Sequence, residues 1–569
     1  MTLTEKAKRV FFKWREPLLC FAIFALTLPF VYWLSRIDLD PHHTGLMLKG
    51  ALDVASGKRL FAETYTQYGA LVTWIQALFI RMLGTSVTSI LLATSLFYAL
   101  SYPLLYRMAR RFLSIPVSLL TTLISVFLAP FYFWEFQPWS SVFALFFLLC
   151  SLLALFHVFE RKRPAVRMLC ALLSGLGAIL AFWCRQPAGI VAVVAGWLVF
   201  GIPALLLRKE KPLRNEHLRH LALFTGGAIL GFLLLLIPIL ATNAWDDFVI
   251  QSIKCMFTFA SDRSYTDTHG ILGAFGILLA NLFLNPILYP WDLPVIGTMW
   301  TLLPLAVVGL ALLTVLRMRR AVKEGSPEAV KDHMLLLAYT LFAGCAWHQY
   351  YPVGCYRHWY WGSFLCVPAV ILVLRMTVQW LAGRKGFRWL LPERNRVTAF
   401  WLAVALMFAP NVGVRMVRGA VKSADTKDMV LMQNEHYDYL NSVYLDADIA
   451  YHYNTLFDTV HGLQTAFPEK NVINLTENGV YAVFGENFHP MFNNTDDFFY
   501  EDYPEVRDAY IKAERPIVIG AEAPMDDYVL YLESQGNPGD PTAQHHRMPP
   551  NIYLPVELAV QLTLLNEGA

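Results

Sequence analysis

Membrane-length apolar runs recur along this sequence and constrain its fold more than any other feature. Of its 569 residues, 56% are hydrophobic and 16% are charged, whereas soluble domains carry roughly 25% charged residues. A soluble globule could not bury so much apolar surface, but a membrane protein exposes it to lipid. The chain is therefore predicted to be an α-helical polytopic membrane protein.

Apolar runs of about 20 residues predict about eleven transmembrane helices. They occupy residues 17–36, 86–106, 113–133, 140–157, 168–184, 188–207, 221–242, 294–316, 334–348, 360–378 and 397–413. The first run follows a basic start, but no small-residue cleavage site comes after it. It is therefore interpreted as an uncleaved helix and not as a signal peptide.

Lysine and arginine orient these helices, because both concentrate in the cytoplasmic loops of membrane proteins. With the N-terminus inside, the inner segments carry 28 basic residues and the outer segments carry 9. Two further apolar stretches, 68–83 and 271–288, would reverse this division if they crossed the membrane. Both are therefore predicted to be interfacial or re-entrant helices on the outer side, and the C-terminus is predicted to lie outside.

A change in composition near residue 411 predicts a second domain. Residues 411–569 carry 24 acidic and 9 basic side chains, which leaves 37 basic and 19 acidic side chains in the preceding part. The expected division is a transmembrane domain over 1–413 and an acidic extracytoplasmic domain over 414–569, which is a usual domain size.

Two segments predict the fold of that outer domain. RPIVIGA, at 515–521, is typical of a buried strand that ends at a turn. EHYDYLNSVYL, at 435–445, has the pattern of an amphipathic helix. Together they predict a small α/β domain.

The stretch RIDLDPHHTG, at 36–45, follows the first predicted span directly. Asp38 and Asp40 therefore fall at the outer mouth of that span, and Pro41 disfavours helix at Asp40 and starts a turn. This geometry is expected to project Asp40 into a cavity between the first outer loop and the membrane.

The residues after this turn predict a helix on the outer membrane surface. One helical face is apolar and comprises Leu46, Met47, Gly50, Ala51, Val54 and Ala55. Lys49, Asp53 and Ser56 lie opposite, so Asp53 is expected to face water. ETYTQYGALVTWIQALFIRMLG predicts a second interfacial helix, which gives the first outer loop, 37–85, two such helices.

This loop resembles that of the GT-C superfamily of integral-membrane glycosyltransferases, which use polyprenyl-phosphate sugars. The resemblance rests on an acidic residue just after the first span, on ALDVASG closing a helix, and on the turn TYTQYG leading into an apolar helix. The many spans and the outer C-terminal domain extend it over most of the chain. The acidic pair is contiguous in many members but is Asp38-x-Asp40 here, so either aspartate could be the aligned one.

The resemblance implies an inverting glycosyltransferase on the outer face of a bacterial inner membrane. Its implied partners are a polyprenyl-phosphate-linked sugar donor, a cell-envelope glycan or lipid-linked acceptor such as lipopolysaccharide O-antigen, and membrane lipids, with no nucleic acid. Asp40 is the predicted catalytic base and Asp38 the second candidate, because a carboxylate can take the proton of an acceptor hydroxyl. Partial burial is expected to raise the pKa of this carboxyl and strengthen it as a base.

The leaving group of this reaction is a lipid phosphate, which arginine suits geometrically. Arg185 and Arg357 each lie in a short outward loop that is otherwise nearly free of cations. Lys254 and Arg263 are further phosphate-binding candidates. The alternative interpretation of each arginine is a snorkelling anchor at a helix end.

Other polar residues in the outer loops are candidates for substrate binding. They are His42, His43, Gln67, Tyr68, Glu135 and His358. Adjacent histidines rarely ligate one ion, so neither a metal nor another cofactor is expected. Aromatic residues of the last outer loop, Tyr350, Tyr351, Trp359, Tyr360 and Trp361, are expected to form an interfacial belt. Cys255 and Cys355 lie in two different outward loops and could form a disulfide.

Two other classes compete with the glycosyltransferase. One is a lipid-linked glycan flippase, transporter or polymer synthase, and the other is a non-catalytic scaffold whose acidic domain binds partners. Transporters more often have Gly- or Pro-broken spans with charges near the midplane. Here the spans are almost free of charge and polar residues gather at the outer face, which favours a glycosyltransferase. The sugar and the acceptor stay open.

Overall fold

Helices make up most of the computed structural model, which describes residues 3–66, 68–132, 136–254, 270–288, 294–351, 353–384, 392–490, 500, 502–533 and 551–567. The helices of the membrane part are α1 (Leu3–Ser35), α2 (Pro41–Ser56), α3 (Ala70–Leu83), α4 (Val87–Ala109), α5 (Ile115–Phe127), α6 (Ser140–Glu160), α7 (Pro164–Cys184), α8 (Gln186–Leu206), α9 (Lys211–Ala241), α10 (Trp245–Phe248), α11 (Gly270–Leu279), α12 (Asn285–Leu288), α13 (Pro294–Lys323), α14 (Met334–Cys345), α15 (Tyr356–Ser363), α16 (Cys366–Gly383) and α17 (Glu393–Asp425). Short π-helical segments follow α10 and α11, and short 3-10 segments precede and follow α14.

Nine helices in the described ranges are long and apolar enough to cross a membrane, as judged by length and composition. They are parts or all of α1, α4, α6, α7, α8, α9, α13, α16 and α17. The predicted multi-pass helical class is thereby confirmed. Two other predicted spans, 113–133 and 334–348, contain shorter helices, α5 and α14. A helix of 13 residues such as α5 rises only about 20 Å, which is less than a bilayer core of about 30 Å.

The two leftover apolar stretches also form helices. Residues 68–83 contain α3, which packs against α2 and α4. Residues 271–288 fall within α11, the π-helical segment Ala280–Leu284 and α12. Asn281 of this segment donates a hydrogen bond to the Tyr350 carbonyl at 2.6 Å, so the segment lies beside the last outer loop.

The C-terminal part is a small α/β unit, as predicted. Its strands are β1 (Met429–Leu431), β2 (Tyr444–Asp446), β3 (Val472–Asn474), β4 (Ile517–Gly520), β5 (Tyr528–Leu532) and β6 (Asn551–Pro555). Its helices are α18 (Ala447–Ala466), α19 (Tyr503–Glu514) and α20 (Val556–Glu567). The main sheet has the order β3-β4-β6-β5, with β3 parallel to β4 and the other pairs antiparallel, and β1 pairs separately with β2. RPIVIGA contains β4, which is buried along its whole length.

The helix predicted at 435–445 is wrong. This segment forms turns that lead into β2. The Asn434 side chain accepts hydrogen bonds from the backbone N–H groups of His436 and Tyr437, which holds a turn where a helix would have to begin. Tyr444 then pairs with the chain leaving α1, since its N–H donates to the Arg36 carbonyl at 2.8 Å and its carbonyl accepts from the Asp38 N–H at 2.8 Å. These long-range backbone hydrogen bonds favour an extended strand at Tyr444 over the helix that the apolar periodicity of 435–445 predicted.

Helix α2 lies under the C-terminal domain, so its polar face does not meet water as expected. Lys49 and Asp53 are only 3% and 4% exposed. Lys49 Nζ donates to Asp53 Oδ1 and to the Gly485 carbonyl, each at 2.9 Å. Gly45 permits this close approach, because a Cβ there would overlap the backbone of Gly479 and Val480. The prediction that Asp53 faces water is therefore wrong.

The aromatic residues assigned to an interfacial belt are mostly buried in the helix bundle, which corrects that prediction. Trp359, Tyr360 and Trp361 are at most 3% exposed. The Tyr360 hydroxyl lies 3.0 Å from the Tyr102 hydroxyl and donates to the Ser125 carbonyl at 3.1 Å. Because the backbone of α15 turns these rings inward against α4 and α5, they form part of the core.

The predicted orientation in the membrane has a direct test. We expect a cysteine introduced at Ala513, which is exposed on α19, to react in intact cells with a membrane-impermeant thiol reagent. A cysteine introduced at the exposed Glu210 should react only after the cells are permeabilised. The background is a variant in which the eight native cysteines are replaced. Labelling of Glu210→Cys but not of Ala513→Cys in intact cells would reverse the orientation.

Candidate active site

Asp40 caps the helix that begins the first outer loop. Its backbone is extended, with φ −85° and ψ 105°, and Pro41 occupies the first turn of α2. Asp40 Oδ1 accepts a hydrogen bond from the His43 N–H at 3.1 Å, which satisfies one of the free amide donors at the helix start. The Pro41 turn predicted from the sequence therefore holds this carboxylate at a fixed position.

Three further side chains surround the other oxygen of Asp40. Oδ2 lies 3.1 Å from His43 Nδ1, accepts a hydrogen bond from Gln137 Nε2, and lies 3.9 Å from an Arg357 guanidinium nitrogen. Gln137 comes from the loop before α6, and Arg357 comes from α15. Three chain segments that are distant in sequence thus meet at one carboxylate.

The pKa of Asp40 differs from the expectation. Burial alone would raise the pKa of this carboxyl, but the hydrogen bonds from the His43 ring and backbone and the charge of Arg357 outweigh it. The pKa is therefore held well below its ordinary range, and the predicted raised pKa is wrong for the protein without substrate. Asp40 is ionised at neutral pH.

Arg185 lies in the sharp turn between α7 and α8, in the same neighbourhood. Its guanidinium carbon is 5.8 Å from the centre of the Tyr68 ring and 5.6 Å from that of the Trp139 ring. Its Nη1 donates a hydrogen bond to Ser141 Oγ at 3.1 Å. Trp139 Nε1 in turn donates to the Tyr68 hydroxyl at 3.1 Å. Arg185 is held inside the protein by aromatic faces, a position unlike that of a snorkelling anchor.

Trp139 connects Arg185 to the Asp40 cluster. Its ring centre lies 5.4 Å from that of His358 and 6.4 Å from that of His43. Burial, together with the nearby charge of Arg185, lowers the pKa of His358 to about 4. His358 is therefore neutral at neutral pH and adds no positive charge to that of Arg185 and Arg357.

Two clefts open on either side of this cluster. The first, named the polar cleft after its hydroxyl groups, has a mixed polar and apolar wall lined by His43, Leu46, Met47, Gly50, Tyr65, Thr66, Tyr68 and Thr73. The second has an aromatic wall and is lined by Tyr98, Pro130, Phe131, Phe136, Gln137, Trp139, Arg357 and Trp361. Asp40 bonds to His43 of the polar cleft and to Gln137 of the aromatic cleft, so it lies between the two.

Other predicted site residues lie elsewhere or outside the described residues. Asp38 adopts a left-handed backbone with φ 60°, and its Oδ1 accepts from the Leu39 N–H at 2.8 Å. His42 Nδ1 is hydrogen-bonded to the Glu477 carbonyl of the C-terminal domain at 3.0 Å. Lys254 is exposed at the end of a π-helical segment. The structure does not describe Gln67, Glu135, Arg263 or Cys255.

Several residues of the cluster were not singled out by sequence reasoning. Gln137 and Trp139 lie in the short loop between the predicted spans 113–133 and 140–157, and Gln137 precedes Pro138. Ser141 and Gln349 extend the polar chain from Arg185, with Ser141 Oγ 3.4 Å from Gln349 Oε1. A single uncharged glutamine belongs to no recognisable motif. Only its location in an outer loop could have indicated a role in the site.

The described residues contain no group of three or more His, Cys, Asp or Glu side chains that could hold a metal ion. His42 and His43 have different hydrogen-bond partners, with their ring centres 4.9 Å apart. That the protein works without a metal or cofactor stays a prediction.

Comparisons with known proteins agree with this architecture. A family model described as dolichyl-phosphate-mannose-protein mannosyltransferase matches residues 69–226, from the start of α3 into α9. No curated protein matches the sequence.

Solved structures match over almost the whole chain. ArnT from Cupriavidus metallidurans in the apo state is 12% identical, with 94% of this chain and 98% of that chain covered and a TM-score of 0.51. The same protein bound to undecaprenyl phosphate gives 12% identity, coverage of 94% and 97%, and a TM-score of 0.51. The Archaeoglobus fulgidus oligosaccharyltransferase in the apo form is 11% identical, with coverage of 90% and 70% and a TM-score of 0.51.

These structures are GT-C glycosyltransferases, and this chain shares their fold. The resemblance predicted from the first outer loop is thereby confirmed. The chain therefore has the multi-pass helical fold of these structures.

Proposed function

We propose that this protein is an inverting glycosyltransferase that moves a sugar from a polyprenyl-phosphate carrier to a cell-envelope acceptor. The observation that carries this proposal is the Asp40 carboxylate, held by His43 and Gln137 between a polar and an aromatic cleft, with Arg357 at 3.9 Å. Transfer from a lipid phosphate requires a base for the acceptor hydroxyl, a cation for the phosphate, and access to the site for both substrates.

The reaction consists of one displacement at the anomeric carbon of the donor sugar. The acceptor hydroxyl oxygen forms the new glycosidic bond as the bond between that carbon and the phosphate oxygen breaks. Asp40 takes the hydroxyl proton, and the polyprenyl phosphate leaves with the bonding electrons. Because attack comes from the face opposite to the leaving group, the configuration of the sugar is inverted.

The two clefts suit the two substrates. The aromatic cleft offers the Arg357 guanidinium for a lipid phosphate, with aromatic rings beside it for the adjoining part of the donor. The polar cleft carries hydroxyl groups of Tyr65, Thr66 and Thr73, which can hydrogen-bond to sugar or acceptor hydroxyls. In support of this donor class, ArnT from Cupriavidus metallidurans has been solved with undecaprenyl phosphate bound.

The lowered pKa of Asp40 gives Arg357 a second role in this proposal. Without donor, Arg357 lies near Asp40 and helps to keep its carboxyl a weak base. A donor phosphate would compete for the same guanidinium, since phosphate accepts two of its hydrogen bonds at once. Drawing Arg357 towards the phosphate removes its part of the lowering and raises the pKa of the carboxyl, while the hydrogen bonds from His43 continue to lower it, so donor binding makes Asp40 a stronger base than it is without donor.

The location and the acceptor follow from the same reasoning. The 28-to-9 division of basic residues supports a cytoplasmic N-terminus, with the site and the C-terminal domain on the outer face. The membrane in this proposal is a bacterial inner membrane, which makes that face periplasmic. The proposed acceptor is a cell-envelope glycan or a lipid-linked glycan that is present on this face, and lipopolysaccharide O-antigen is one example.

The phosphate-binding role can be tested at the two arginines. Arg185→Ala and Arg357→Ala should each weaken the use of donor about 10- to 100-fold, because each removes a charge-assisted contact worth about 1.5–3 kcal/mol. The measurement is kcat/KM for donor in purified protein, together with competition by undecaprenyl phosphate.

Arg59→Ala is the matched control for this experiment. Arg59 also belongs to the first outer loop, but it is half exposed and pairs with Glu63 at 3.1 Å. Its removal should leave donor use unchanged. Wild-type kinetics for both Arg185→Ala and Arg357→Ala at limiting donor would return these arginines to an anchoring role.

A further inference from the structure

A further cavity, separate from the two clefts beside Asp40, lies at the opposite end of the helix bundle. Helix α6 starts beside Arg185, which donates to Ser141, and runs about 30 Å before it ends at Glu160. The cavity is built around that far end. Its walls come from the end of α6, the first turns of α7 and α9, the loop after α8, and the residues around the 3-10 segment Pro327–His333.

Basic side chains give this cavity an excess of positive charge. Arg161, Arg167 and Lys331 line it, and Glu216 is the one carboxylate among its described lining residues. Lys331 Nζ also pairs with the exposed Glu328 at 2.7 Å, so a ligand anion would compete with that carboxylate. Arg167 donates to Glu216 and to the Val158 carbonyl, which fixes it in the wall. Arg161 has no ion-pair partner in the described part of the chain, so its charge is available to a ligand.

A buried histidine provides an independent indication of a ligand. His217 lines the cavity and is 8% exposed, and its Nδ1 has no hydrogen-bond partner within the described residues. A buried polar atom without a partner is costly, and at the wall of a cavity a water or ligand can supply the missing bond.

The remaining wall is apolar. Phe159, Leu213 and Met334 line the cavity beside the cations. A ligand with an anionic phosphate attached to apolar chains would bury both its charged surface and its apolar surface here. Inorganic phosphate would use only the cations and His217.

We propose that this cavity binds a phosphate group, carried either by an anionic membrane lipid or by a free phosphate compound. Arg161 and Lys331 supply charge, Arg167 supplies a fixed guanidinium, and His217 Nδ1 supplies a further hydrogen bond. The site is separate from the Asp40 cluster and does not depend on the reaction proposed there.

Native mass spectrometry of the full-length, delipidated protein tests this site. Phosphatidylglycerol, phosphatidylcholine and inorganic phosphate are titrated separately, and phosphate is then added against bound phosphatidylglycerol. We expect tight binding of phosphatidylglycerol over phosphatidylcholine. The Arg161→Gln/Lys331→Gln double variant should bind phosphatidylglycerol about 30-fold more weakly. Each cation near an anionic lipid strengthens binding by a factor of about five, and the variant removes two of them.

Lys162→Gln/Lys209→Gln is the matched control, because both lysines are exposed at the same end of the bundle but do not line the cavity. It should bind phosphatidylglycerol like the wild type. His217→Gln, which changes no positive charge at neutral pH, should also weaken binding with an unchanged thermal midpoint.

The arms of the experiment identify the source of the phosphate. Binding of inorganic phosphate that depends on Arg161 and Lys331 and displaces the lipid assigns the site to a free phosphate compound, whereas lipid binding that phosphate does not displace assigns it to a lipid headgroup. Equal binding of both lipids with no phosphate binding would overturn the proposal. An equal loss in the control variant would also overturn it.

Discussion

Asp40→Asn is expected to leave the protein folded and able to bind donor but to lower turnover about 100-fold or more, as for the loss of a general base. Asparagine caps a helix as well as aspartate does, and its side-chain oxygen can still accept from the His43 N–H. An amide cannot take the proton of an acceptor hydroxyl. The measurement is turnover at saturating donor, with donor affinity and the thermal midpoint determined in parallel.

Asp38→Asn is the matched control for this base. Asp38 has a left-handed backbone, which asparagine also tolerates, and its side chain accepts from the Leu39 N–H. Its effect should be milder. If Asp38→Asn is inactive and Asp40→Asn is active, the two aspartates exchange roles, and if both variants stay active the proposed mechanism is wrong.

Asp53→Ala should have the largest effect on stability, with a loss of about 3–5 kcal/mol, because it leaves the Lys49 ammonium buried without its carboxylate. Asp53 also accepts from Thr64 Oγ1 and from Asn487 Nδ2, each at 2.8 Å. The variant thus loosens the contact between α2 and the C-terminal domain. Thermal unfolding and limited proteolysis of that domain measure the change.

Lys58→Ala provides the comparison for this pair. Lys58 lies 3.3 Å from the same carboxylate, but it is partly exposed and its other partner, Glu486, is largely exposed. Its loss should cost less than about 1 kcal/mol. Equal stability of Asp53→Ala and Lys58→Ala would show that the buried pair does not hold the two parts together.

Local sequence signals predicted the elements that depend on local chemistry. Pro41 begins α2 and Gly57, with φ 105°, ends it, so the first surface helix could be located from residue type alone. Apolar length likewise predicted the long helices, because a membrane span is defined by composition over about 20 residues.

The features that the sequence predicted wrongly depend on contacts between distant parts of the chain. The burial of Lys49 and Asp53 comes from Gly485 and Asn487, more than 400 residues further along. No periodicity in α2 distinguishes a face covered by another domain from a face covered by water. The turns at 435–445 similarly depend on backbone pairing of Tyr444 with the end of α1.

The candidate site was predictable in part for the same reason. Asp40 stood out because it follows the first span directly and precedes Pro41, and Arg185 and Arg357 stood out because each lies in a short outer loop nearly free of other cations. Gln137 and Trp139 did not stand out, since their role comes from where the fold brings them. The direction of the Asp40 pKa also required the structure, because it depends on His43 and Arg357.

The central claim is that a sugar leaves a polyprenyl phosphate at the Asp40 site. The most direct measurement incubates the purified protein with a panel of polyprenyl-phosphate sugars and fractionated cell-envelope glycans, and follows released polyprenyl phosphate and the anomeric configuration of the product. We predict that the wild type consumes one donor and gives a product of inverted configuration, and that Asp40→Asn forms it about 100-fold more slowly or less. Consumption of no donor with any acceptor fraction, or a product of retained configuration, would contradict the claim.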